Sequence, residues 1–175
     1  MIDLSEEIQL LENTNIKIND NNIEVDGPQG KIEKRFAFPN IEIKKQDNKI
    51  QLVSKNASKR EKRMINTFKS HIENMIKGVL KGFEYKLKIC SSHFPMSVST
   101  ENNFVVIKNF LGEKVPRRAR ILDNVNVKIQ GNDVIVTGID IEKVGQTAAN
   151  IESACRITNR DRRIFQDGIY IYERE

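Results

Sequence analysis

Apolar positions along this chain follow two spacings: every second residue in short segments, every third or fourth in two longer ones. Ile2 to Leu11, apolar at 2, 4, 8, 10 and 11, reads as a short strand or a docking arm. Ile16-Lys17-Ile18 and Ile23-Glu24-Val25 alternate around the turn Asn19-Asp20-Asn21-Asn22. Asp26-Gly27-Pro28-Gln29-Gly30 predicts another turn, and Lys31 to Phe36 a strand broken by Pro39. Ile41-Glu42-Ile43 and Ile50-Gln51-Leu52-Val53 flank Gln46-Asp47-Asn48-Lys49 as a hairpin. The period then changes. Ser58-Lys59-Arg60-Glu61 has the spacing of a capping box, in which the serine oxygen accepts a backbone N–H and the glutamate reaches back. Met64, Ile65, Phe68, Ile72, Met75, Ile76 and Val79 make a helical stripe, with Gly78 and Gly82 expected to end it.

The second half runs through the same order. Phe83 to Ile89 and Phe104 to Ile107 read as strands, Leu111-Gly112-Glu113-Lys114 as a turn. Val125 to Ile129 and Val134-Ile135-Val136 flank Gln130-Gly131-Asn132-Asp133 as a second hairpin. Asp140 is placed to cap a helix carrying Ile141, Val144, Ala148, Ile151 and Cys155 on one face. The two hairpins align at a constant offset of 84 residues, with Gly30 near Gly112 upstream and Asn66-Thr67 near Gln146-Thr147 downstream. This is an internal repeat. It predicts an α+β protein of two tandem similar domains, each an antiparallel sheet covered by one main helix. Residues 1–80 form the first and 81–175 the second, with a linker near Gly78–Gly82.

Composition narrows the function. The 175 residues carry no apolar run near the ~18 of a membrane span. The acidic start Met1-Ile2-Asp3-Leu4-Ser5-Glu6-Glu7 lacks the basic and apolar regions of a signal peptide, so an intracellular, cytoplasmic location is expected. Cys90 and Cys155 have no CxxC spacing, and with only His71 and His93 beside them no zinc site is expected. No GxSxG, GxxxxGK[ST] or GxGxxG motif occurs. No enzyme, cofactor or small-molecule substrate is expected; an esterase-like use of His93 beside Ser91 and Ser92 rests on sequence adjacency alone.

Charge adds the remaining signal. The net charge is +5, and the two halves are alike in net charge. Their cations differ: 3 arginines lie in residues 1–82 and 8 in residues 83–175. One cluster runs Lys108-Asn109-Phe110-Leu111-Gly112-Glu113-Lys114-Val115-Pro116-Arg117-Arg118-Ala119-Arg120. The other holds Arg156, Arg160, Arg162 and Arg163 against the single acid Asp161, with Phe165 beside them. Both fall in expected loops. A guanidinium fork suits phosphate and an aromatic face suits a base, so the combination points towards RNA, although composition alone does not separate RNA from DNA. An adaptor whose basic loops meet an acidic protein is the alternative reading of the same residues. Lys59-Arg60 and Lys62-Arg63 at the first helix start oppose the helix dipole and read chiefly as a solvated face.

Several segments resemble the universal large-subunit ribosomal protein six family in its archaeal–eukaryotic form. They are Gly78-Val79, Lys81 to Lys88, His93-Phe94-Pro95, Asn109 to Lys114, Gly131-Asn132-Asp133, Gly138 to Glu142, and Asn159 to Tyr170. Val25-Asp26-Gly27-Pro28 and Gly30 extend the resemblance into the first half. Cys90-Ser91 and Met96-Ser97 depart from the usual family residues. The resemblance implies a structural protein of the large ribosomal subunit. Its second domain would bind large-subunit rRNA beside the sarcin–ricin loop and the stalk base, where translation GTPases dock. Partners would be that rRNA and neighbouring ribosomal proteins, with nucleolar assembly in a eukaryote. The expected rRNA-binding residues are Lys86, Lys88, His93, Lys108, Lys114, Arg117, Arg118, Arg120, Arg156, Asn159, Arg160, Arg162, Arg163 and Phe165. The arginines would neutralise phosphates, Asn159 and His93 would bond sugar or phosphate oxygens, and Phe165 would stack or wedge.

Overall fold

A computed structural model describes residues 2–9, 13–19, 21–46, 49–92 and 94–174. Leu10, Leu11, Asp20, Asp47, Asn48 and His93, all in elements or sites expected above, lie outside the described residues. The chain divides into two compact units, Met1–Gly82 and Phe83–Glu175.

In the first unit the alternating segments become β1 (Ile2–Gln9), β2 (Asn15–Asn19), β3 (Asn22–Gly27), β4 (Gly30–Arg35), β5 (Glu42–Gln46) and β6 (Lys49–Ala57). They form two antiparallel sheets ordered β1-β6-β5 and β2-β3-β4. Ile2 to Gln9 is thus a strand paired with β6. The helix α1 (Lys59–Lys81) follows. Its capping box is formed: the Ser58 side chain accepts from the Arg60 N–H, and Glu61 accepts from the Ser58 N–H. Ile65, Phe68, Ile72, Met75, Ile76 and Val79 are all buried. Full burial of one such side chain stabilises by roughly 1.5–3 kcal/mol, so this face fixes the helix on the sheets. Gly78 does not end the helix. It is a buried helical residue, so 78–81 is no linker, and the stop comes at Gly82, whose φ of 77° favours glycine.

The second unit contains β7 (Phe83–Cys90), β8 (Ser97–Glu101), β9 (Phe104–Lys108), β10 (Arg117–Arg120), β11 (Val125–Gln130), β12 (Asp133–Gly138), α2 (Ile141–Ala154) and β13 (Gly168–Arg174). Asp140 caps α2 by accepting from the Glu142 N–H. The sheets are ordered β11-β12-β7-β13 and β10-β9-β8. Leu87, Val134, Val136 and Ile169 from the larger sheet, Val105 and Ile107 from the smaller, and Val144, Ala148 and Ile151 from α2 share one core.

The repeat holds at the level of register. Glu42 pairs with Val53, and Asn126, 84 residues on, pairs with Thr137; Gln46–Lys49 and Gln130–Asp133 match in the same way. The order β5-β6-β1 recurs as β11-β12-β7, and β2-β3-β4 as β8-β9-β10. Two differences mark the second unit. Pro28 and Gln29 alone join β3 to β4, whereas residues 109–116 join β9 to β10, so Gly30 begins a strand and Gly112 sits inside a longer loop. And β13, with the segment leading to it, extends beyond α2; it pairs with β7, adding a strand where β1 stands at the sheet edge in the first unit. Three of the second unit's strands escaped the periodicity: β8, β13, and β10, which is Arg-Arg-Ala-Arg and had been expected as loop.

Candidate nucleic-acid interface

The extra segment after α2 is anchored by alternation. Cys155 and Ile157 are buried, Phe165 is half-buried and Asp167 is buried, while Arg156, Asn159, Arg160, Arg162 and Arg163 are exposed. Burial pushes the Cys155 thiol up to about 12, so it packs as a neutral thiol. Asp161 folds the middle into one turn: its carbonyl accepts from the Ile164 and Phe165 N–H groups, and Oδ1 from the Arg163 N–H at 2.9 Å. The far end is latched. Asp167 Oδ1 accepts from the Ser92 N–H at 2.7 Å and the Ser92 hydroxyl at 2.5 Å, tying the segment to the exit of β7.

The loop between β9 and β10 is tied to the same place by Arg117. Its Nε and Nη2 donate to the two carboxylate oxygens of Glu113 at 2.8 and 2.6 Å. Its Nη1 donates to the carbonyls of Ala154 and Arg156 at 2.9 and 3.0 Å, and its guanidinium lies 4.2 Å from the Phe110 ring centroid. The Ala154 carbonyl ends α2, where helix geometry leaves acceptors without intrahelical donors, and the Arg156 carbonyl lies two residues beyond. The Arg117 hydrogen bond, aided by its charge and that of Arg160, holds the Glu113 carboxyl below its ordinary range. Arg156 opens the other basic cluster, so the Arg117 bond to its carbonyl brings the two clusters together. Asn109, at a left-handed φ of 61°, and Asn159, at 58°, turn the chain in the two segments; asparagine tolerates this region because its side chain bonds locally. Asn109 Nδ2 also donates to the Pro95 carbonyl.

The expected site residues divide by what they touch. Arg118 and Arg120 on β10 are exposed, on the face opposite the buried Ala119, with Arg120 paired in register to the partly exposed Phe104. Lys108 and Lys114 are exposed, Lys108 with Glu101 at 3.5 Å. Arg163 is bidentate to Asp161, at 3.1 and 2.9 Å, yet its side chain is 91% exposed. Arg117 is different: its donors face inward, to Glu113 and the end of α2. So is Lys86, which bonds Glu173 at 2.8 Å and lies 3.6 Å from Glu84 on the larger sheet. Lys88 lies on that sheet beside Asp133. Phe165 does not project. Its ring packs against the core, and Arg160 lies 5.0 Å from its centroid. Sequence reading missed Ile164, 64% exposed among the arginines, and Tyr170, exposed on β13. It also missed Glu113 and Asp167, since acids in a basic stretch read as dilution rather than as struts.

Two tandem α+β units, the second extended by an exposed arginine-rich segment, define a two-domain scaffold protein. The family model described as Ribosomal protein L6 matches residues 12–82 and 94–168. The chain is 52% identical to the large ribosomal subunit protein uL6 of Staphylothermus marinus over 172 residues, covering 96% of this chain and 93% of that one. It is 50% identical to that of Sulfurisphaera tokodaii over 175 residues (99% and 94%) and 48% identical to that of Methanococcus vannielii over 171 (98% and 94%). The chain belongs to the Ribosomal protein L6 family, in its archaeal branch, and is a structural, non-enzymatic ribosomal component.

Proposed function

We propose that this chain is a constituent of the large ribosomal subunit and holds large-subunit rRNA chiefly through its second unit. One observation carries the reading: two clusters some forty residues apart in sequence meet at the end of α2, and the arginines not used to join them point outward. Arg118, Arg120, Arg156, Arg160 and Arg162 would neutralise phosphates, with Lys108, Lys114 and Arg163 beside them. Asn159 and His93 would bond sugar or phosphate oxygens. Lys88 would contribute from β7, beside Tyr170 of β13. Arg117, Lys86 and Phe165 would act as scaffold that fixes the others. The family resemblance supports placing this surface beside the sarcin–ricin loop and the stalk base, where translation GTPases and neighbouring ribosomal proteins gather, in cytoplasmic ribosomes.

Binding of the protein to deproteinised large-subunit rRNA across a salt series tests this. Each lost phosphate contact flattens the log–log slope by roughly 0.7–0.9. Replacing Arg160, Arg162 and Arg163 together with alanine should lower it by about two contacts' worth or more. An unchanged slope would sink the proposal.

A further inference from the structure

Phe165 is turned to the core, so the stacking surface that single-stranded RNA calls for must come from elsewhere on this unit. Tyr170 has that geometry. It stands two residues after Gly168 on the same face of β13, and its ring leans back along the strand over that glycine. A Cβ at Gly168 would lie 2.7 Å from the tyrosine Cζ and 2.7 Å from its oxygen, so the ring can lie there only because residue 168 has no side chain. The hydroxyl donates towards the carbonyls of Gln166 and Asp167, at 3.2 and 3.3 Å. The ring is therefore held at both ends, by its strand and by its hydroxyl, and is still 40% exposed. It borders an open hollow of about 980 Å³ that Ser91, Ser92, Arg163 and Ile164 also line. Ile164, an apolar side chain 64% exposed between cations, gains nothing from solvent there and would gain from a base or ribose laid against it.

We infer that this hollow receives one unstacked rRNA nucleobase, with Tyr170 as its platform, Ile164 against its other side and Arg163 at a flanking phosphate. The inference rests on the rRNA-binding reading above and names the residue that supplies the part of affinity not due to charge. Stacking is tolerant of base identity, because every base has a π face. Asp161 takes two N–H donors of the Arg163 guanidinium, which carries five, so the fork is oriented before RNA arrives. A platform fixed in advance loses little conformational freedom on binding.

Two variants test it against deproteinised large-subunit rRNA. Tyr170→Leu should weaken binding by about 5- to 150-fold at any one salt concentration, the range that loss of one stacked base produces, while leaving the log–log salt slope as in wild type. Tyr170→Trp introduces a tryptophan into a chain that has none, so its emission reports on this position alone. That emission should be quenched when rRNA is added at salt low enough for binding. Wild-type affinity in the leucine variant, a changed slope in place of a parallel loss, or tryptophan emission unmoved by bound rRNA would each overturn the inference. Failure of the underlying reading looks different: wild-type protein that does not bind the rRNA, or a slope indifferent to the loop arginines.

Discussion

Arg117 and Glu113 face each other through two parallel N–H···O bonds, while the remaining terminal nitrogen of the arginine closes the end of α2. One side chain thereby joins the β9–β10 loop, the helix and the start of the arginine-rich segment. Arg117→Ala should destabilise the second unit by about 2–3 kcal/mol, since it removes charge-assisted hydrogen bonds and leaves their acceptors without that donor. Arg117→Lys should recover little, because an ammonium cannot serve a carboxylate in a fork and two carbonyls at once. Urea unfolding followed by circular dichroism measures both.

The same pair sets a pH dependence. The Glu113 carboxyl is held below its ordinary value of 4.5, first by the Arg117 hydrogen bond. A carboxylate depressed in the folded state contributes stability that is present above its unfolded value and is lost as pH falls through the folded one. Wild type should exceed Glu113→Gln in stability at pH 7, and the gap should shrink as pH falls below about 4.5. A gap that does not shrink on acidification would mean the ion pair contributes nothing beyond packing.

Charge alone does not define the interface. Arg118→Ala and Arg120→Ala should each flatten the salt dependence of rRNA binding by roughly 0.7–0.9, as loss of one phosphate contact does. Arg117→Ala, although it removes an identical charge three residues or fewer away, should leave the slope nearly unchanged while weakening binding through a loosened loop. Salt series on the three single variants separate outward arginines from the inward one.

Ser92 and Asp167 hold the segment's far end. Ser92→Ala removes the hydroxyl donor and keeps the backbone one, at a cost of about 1–2 kcal/mol for a partly buried bond to a charged group. For a unit of this size that is on the order of 5–15 °C in melting temperature. The change should also expose amides of the 156–166 segment to faster hydrogen exchange, leaving α2 protected.

Much of the scaffold was legible because it obeys local rules. The Ser58–Glu61 box, the Asp140 cap and the paired hairpins needed only propensity and period. What stayed hidden depends on partners distant in sequence. Arg117 to Arg120 carries one apolar residue in four and becomes a strand only by pairing with β9. Ser97 to Glu101 is polar for the same reason, an edge strand whose exposed side chains show no alternation of hydrophobicity. At the site, sequence located the cations but not their counter-ions. Phe165 and Tyr170 are both aromatics flanking the same loop, and only the fold distinguishes the one that anchors from the one that faces out.

The strand β13 closes this unit from the wrong end of the chain. It lies beside β7, the unit's first strand, so the larger sheet is finished only after everything between them has been made. Until then the arginine-rich segment is held only at its start, by α2 and Arg117, and has no Ser92 latch and no Tyr170 over Gly168. An emerging polypeptide therefore carries these arginines before the contacts that fix them. The fixed geometry of that segment is a property of the completed sheet, and strand order leaves that sheet's last strand to the end of the chain.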